Sequence, residues 1–177
     1  MFVLLVLNLG FLGCTKDVDF NQANDFEVSP VLESSLIYFD APAADFFVGG
    51  SEVATVQDFV DIAIFNNDFV NNNLIKTEFV LETTNSINRA YNLRIDFLDS
   101  ANQLQHSFIT SAPASSTNKD VISSHTEVFE GSSLDALKQT TKLVFTLTML
   151  AGAPINNNAL GSIHLESKGV FYFNYQR

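Results

Sequence analysis

Apolar residues in this chain recur at every second position, and that period leaves little alternative to half-buried strands. Tyr91, Leu93, Ile95 and Phe97 alternate with Asn92, Arg94 and Asp96. Successive side chains of a strand point to opposite faces, so one set is buried and the other wetted. Leu143, Phe145, Leu147 and Met149 repeat the pattern against Thr146 and Thr148. Ile163, Leu165, Phe171 and Phe173 repeat it against His164, Glu166 and Lys168. Weaker runs predict strands near 34–40, 59–66, 74–83 and 121–130, with Leu104 to Thr110 forming a hairpin with the 91–97 strand through Asp99 to Asn102. Turns are expected at Gly49-Gly50, at Asn66 to Asn73, at Ala112 to Lys119 and at Gly152 to Asn158. One short helix is expected, with Ser132 as its cap and Leu134 and Leu137 on one face. The fold class that follows is all-β, an antiparallel β-sandwich with Greek-key, jelly-roll or immunoglobulin-like connections. The chain has no Trp and a single Cys, which argues against a true immunoglobulin domain. Seventeen Phe supply most of the large side chains for its core.

The first residues obey a different pattern. Met1 to Gly13 carries no charged side chain, and composition turns polar immediately after Cys14 with Thr15, Lys16 and Asp17. Thirteen helical residues would span about 20 Å, short of the roughly 30 Å hydrocarbon core of a bilayer. That length fits the apolar part of an export signal instead. Gly13-Cys14 at the boundary resembles the lipobox of bacterial lipoproteins, in which a small residue precedes a cysteine that is lipidated and becomes the new N-terminus. Leu12 and Phe11 depart from the usual residues of that motif, and no Lys or Arg precedes them. The resemblance implies a signal peptide over 1–13, lipidation at Cys14 and a tether over 14–30, leaving one domain over 31–177. Lys16-Asp17-Val18-Asp19 resembles the short charged signal of Bacteroidota-type outer-membrane lipoproteins, which implies an outer-membrane location, periplasmic or surface-exposed. The tether, with Asp25 to Val28 pairing onto a sheet edge, reaches about 50 Å when extended.

Charge limits the partners. Nine Lys+Arg against twenty Asp+Glu give a net charge of −11, so no nucleic-acid partner is expected, because phosphate contacts need a basic face. The single Cys excludes an internal disulfide and a multi-cysteine zinc site. No G-x-S-x-G, H-E-x-x-H, Walker or G-x-G-x-x-G pattern occurs, so no catalytic residue is nominated and no enzyme is expected. No cofactor is implied. The transition-metal candidates are His125 with Glu127 and His164 with Glu166, and the oxygen-rich clusters Asp96, Asp99, Asn102 and Asn66 to Asn73 are read as turn residues rather than a calcium loop. Each pair shares a strand face, and the two pairs would converge on a transition metal if their strands were neighbours. Solvated strand faces are the plainer reading of both. His106 alternates with Leu104 and Phe108, which predicts a packed histidine.

These features predict a membrane-anchored, non-enzymatic envelope lipoprotein acting as a binding or structural module. Its partners would be the membrane, through the lipid, and other envelope proteins or glycans. A carbohydrate-binding surface module is one alternative, and it needs exposed tyrosines side by side. A lipocalin-like carrier is another, and it needs a cavity of several hundred Å³.

Overall fold

The computed structural model describes residues 27–176. The signal peptide, Cys14 and most of the tether expected from the sequence lie outside those residues. Two-residue strands account for β1 (Glu27–Val28), β3 (Phe47–Val48), β4 (Ser51–Glu52) and β12 (Tyr175–Gln176). The long strands are β2 (Val31–Pro42), β5 (Thr55–Asp61), β6 (Leu74–Asn85), β7 (Tyr91–Leu98), β8 (Leu104–Ala112), β9 (Val121–Phe129), β10 (Lys142–Met149) and β11 (Ser162–Phe173). They form two four-stranded sheets, β2-β11-β6-β9 and β5-β10-β7-β8.

The pairing is nested. β2 pairs with β11, β5 with β10, β6 with β9 and β7 with β8, all antiparallel. A long hairpin folded over on itself in this way is a jelly roll. The antiparallel sandwich expected from the alternation is therefore present, and the strand order selects the jelly-roll connection.

The alternating faces meet between the sheets. Tyr91, Leu93, Ile95 and Phe97 of β7 are at most 4% exposed. Leu143, Leu147 and Met149 of β10 and Ile163, Leu165, Phe171 and Phe173 of β11 are buried with them. The expected hairpin closes at Asp99, whose carboxylate accepts from the Ala101 and Gln103 N–H groups at 2.8 Å each. Asn102 supplies the left-handed residue of that turn at φ 58°. Those polar side chains are consumed by turn geometry.

Three local expectations need correction. The helix Ser132–Lys138 buries Leu134 and Leu137 as expected, yet its N-cap is Gly131 and no side chain caps it. Ser133 instead bonds Glu130. A second short helix, Asp68–Asn73, stands where the asparagine run predicts a turn. Asn67 nucleates it by accepting from the Phe69 and Val70 N–H groups, which is the capping role asparagine serves best. Finally, the strand expected at 59–66 is β5, at Thr55–Asp61, and Ile64–Asn66 is a 3-10 turn. The apolar run that suggested the later position packs Phe65 under the sandwich instead.

Candidate functional site

The two histidine–glutamate pairs do not converge. β9, carrying His125 and Glu127, is separated from β11, carrying His164 and Glu166, by β6. They also lie on opposite faces. His125 and Glu127 sit in register with Leu81 and Phe79, which face the core, whereas His164 and Glu166 sit beside Thr84 and Glu82 on the outer face. Among the described residues no group of three or more His, Cys, Asp or Glu is arranged to hold a metal ion. His164 bonds Glu166 at 3.1 Å and stacks edge-on with Tyr38 at 4.7 Å, an outer-surface contact.

His125 and Glu127 take part in a different arrangement, with His106. β8 and β9 are the neighbouring edges of the two sheets. Glu127 spans them, with His106 Nε2 2.8 Å from its Oε1 and His125 Nε2 3.0 Å from its Oε2. The His106 ring lies 4.9 Å from Phe129 and 5.5 Å from Phe97, and His125 stacks on Phe108 at 5.0 Å. His106 is packed, as expected, and it also has a polar partner on the opposite sheet. This edge of the sandwich is sewn shut.

Among the described residues the opposite edge is open. There β2 and β5 are the outermost strands of their sheets, and a groove of about 300 Å³ runs between them. Leu36, Ile37 and Phe39 of β2 form one wall, Val56 and Val60 of β5 the other, and Phe145, Leu147, Ile163 and Leu165 the floor. Interiors seldom hold voids larger than a water molecule. A dry engineered cavity of about 150 Å³ already binds benzene, and this space is larger.

Two local features shape the groove. The register of β2 on β11 shifts between Ser167 and Lys168, leaving Leu36 as the extra residue of a bulge. A bulge bends an edge strand and re-aims its side chains. Here Ser167 Oγ fastens the bend, accepting from Ile37 N–H at 3.0 Å and donating to Ile37 O at 3.2 Å. On β5, Val56, Asp58 and Val60 share the inward face, in register with Leu147, Phe145 and Leu143 of β10. Asp58 is thus an inward-pointing acid on an edge strand, a device that discourages indiscriminate strand addition. Its carboxylate accepts from the Phe59 N–H at 2.8 Å.

One end of the sandwich is held by a group the sequence did not flag. Arg89, only 8% exposed, donates to Leu150 O, to Ala153 O at 2.6 Å and to Glu52 at 3.3 Å. Glu52 in turn accepts from Ile155 N–H at 2.7 Å. The clamp ties the loop after β10 to β4, a structural task. Beside it, Tyr91 is fully buried with no hydrogen-bond partner for its hydroxyl among the described residues, and burial pushes its phenol well above the ordinary range. The signal that could have found the groove is the Val56-x-Asp58-x-Val60 pattern. A charge at the centre of an apolar face marks a strand with an open side.

No protein-family model matches the chain, and no curated protein matches it. Among solved structures it is similar to the infectious bursal disease virus VP2 subviral particle, at 10% identity and a TM-score of 0.47, over 84% of this chain and 37% of that one. It is also similar to the enzymatically active domain of bacteriophage CBA120 tailspike protein 4, at 10% identity and a TM-score of 0.39, over 83% of this chain and 19% of that one. A Desmodium yellow mottle tymovirus chain aligns at 7% identity and a TM-score of 0.29, over 85% of this chain and 91% of that one. The chain spans less than two-fifths of the VP2 chain it resembles.

Proposed function

We propose that this chain is a non-enzymatic envelope lipoprotein, held in the outer membrane by acyl chains on Cys14, whose jelly roll is a binding module. The observation that carries the binding role is the apolar groove between β2 and β5. The site brings one carboxylate, Asp58, and no imidazole or thiol to an otherwise mostly apolar lining, a composition suited to holding a ligand rather than moving protons. The anchor rests on Gly13-Cys14 closing an uncharged apolar leader. One lipid chain binds a bilayer only marginally and two or more hold it firmly.

The groove favours this reading over a glycan platform. Tyr38 is 68% exposed, but its β11 neighbour is Glu166, and Tyr172 pairs with Val31 at the far end of β2. The two rings form no shared surface. A closed carrier barrel is also disfavoured, because the eight long strands make two open sheets.

Growth on labelled palmitate tests the anchor. Wild-type protein in the envelope fraction is expected to carry the label, and Cys14→Ala to lose it. Unlabelled wild type, or label persisting in the variant, overturns the anchored reading.

A further inference from the structure

The occupant of the groove follows from which atoms β5 leaves open. Ile62 N–H donates to Thr141 O, and Met149 N–H to Ala54 O, so even-numbered residues of β5 and its flanks turn their backbone groups toward β10. In an antiparallel ladder the alternate residues face away. Gln57, Phe59 and Asp61 therefore present their N–H and C=O groups to the open side. At the centre of that row, the Phe59 N–H is occupied by the carboxylate of Asp58 itself.

We propose that β5 accepts an extended peptide segment from a partner protein, added as a fifth strand across the mouth of the groove. Its recognised pattern is apolar-x-Lys/Arg-x-apolar. This rests on the binding-module reading and gives its ligand class. Strand addition takes affinity from main-chain hydrogen bonds and selectivity from alternate side chains. The two apolar residues would lie beside Val56 and Val60 and fill the space above Phe145 and Leu147. The cation would lie beside Asp58, with its stem against the apolar wall. Pairing with that cation draws the Asp58 carboxylate off the Phe59 N–H and frees the central donor for the ladder. Asp58 thereby blocks strands that lack the charge and admits those that have it.

Charge selects this occupant over the others. Among the described residues Asp58 is the one charged side chain lining the groove; Asp40 and Asp61 of the two edge strands are exposed, Asp40 with its carboxylate 3.9 Å from His164 on the outer face. The nearby cations are engaged, Lys168 with Glu33 at 3.1 Å and Lys142 over the Phe59 ring at 5.3 Å. A second copy would bring another Asp58 to the same strip on a chain of net charge −11. A bare aliphatic chain fills the groove but leaves the β5 backbone row and Asp58 unanswered.

The test uses the full chain in phosphatidylcholine nanodiscs, with empty nanodiscs as blank. Fluorescence anisotropy reads binding of a labelled peptide built on Leu-Thr-Lys-Thr-Leu. One control peptide carries Glu in place of the Lys; the other keeps the Lys and carries Pro in place of both Thr, the residues opposite Gln57 and Phe59 whose N–H groups would face β5 in an antiparallel ladder. Wild type is expected to bind the Lys peptide at least tenfold more tightly than either control, and the preference over the Glu peptide should shrink with added salt. Asp58→Lys should reverse the preference to the Glu peptide, an outcome that a merely structural Asp58 would not give. Equal binding of the Pro peptide overturns strand addition. Displacement by palmitate, with Asp58→Lys behaving as wild type, makes the groove an aliphatic-lipid site instead. Self-association without peptide binding makes it an interface between copies. Palmitate-labelled protein that ignores every peptide overturns this inference and leaves the anchor standing; unlabelled protein that binds does the reverse.

Discussion

The two long edges of this sandwich are built from the same kinds of strand and end in opposite conditions. Toward β8/β9, Phe129 of β9 interlocks with Phe79 of β6 and Phe97 of β7, ring centroids 5.1 to 5.5 Å apart, and Glu127 joins both sheets through two imidazoles. At β2/β5 the same core leaves about 300 Å³ unfilled. On the closed side the rings interlock, while on the other Phe39 and Phe145 face Val56, Val60 and an acid across unfilled space. Stability is thereby assigned to one edge and availability to the other.

Five substitutions probe that division, and the largest effect is expected in the closed half. Phe97→Ala removes a fully buried ring from the interlocked cluster and should cost about 3–5 kcal/mol, whereas Phe145→Ala, beside the groove, should cost about half as much because less packing is lost. Denaturant titration of both proteins measures the gap, and equal losses would mean that the two halves are packed alike. Glu127→Ala comes next. Stranding two imidazoles between the sheets should cost about 1–2 kcal/mol, while Glu166→Ala, 64% exposed on the outer face, should stay within about 0.5 kcal/mol. If the two glutamates prove equivalent, the polar seam at β8/β9 contributes nothing. The smallest effect belongs to Val60→Phe. Filling the groove from its own wall should change stability by less than about 1 kcal/mol, with a gain more expected than a loss. A loss of several kcal/mol would show that the groove is less spacious than its outline.

How much of this the sequence discloses depends on the direction in which each contact runs. Burial along one strand is local, so the period of two at Tyr91 to Phe97 and at Leu143 to Met149 reveals the sandwich directly. Pairing between distant strands is not local. The His125/Glu127 and His164/Glu166 pairs look equivalent on paper, and only the position of β6 between their strands, with the opposite facing of the two pairs, separates them. The partnership of Glu127 with His106 crosses from one sheet to the other, and no spacing in the sequence encodes it. β5 was displaced because edge strands read weakly: with one lateral side open and half of its residues wetted, Thr55 to Asp61 lacks the apolar contrast that marks a central strand. The asparagine run hid a helix because Asn caps helices as readily as it makes turns.

The bulge at Leu36 also bears on how β2 tolerates a change in length. Ser35 is matched to Lys168 and Ile37 to Ser167, so Leu36 is the single residue of that strand with no opposite number. Losing any other residue would force part of the strand to present its wrong side to the sandwich. Loss of Leu36 alone would straighten β2 while every remaining pair kept its counterpart. That position is where this fold can shed a residue and still add up.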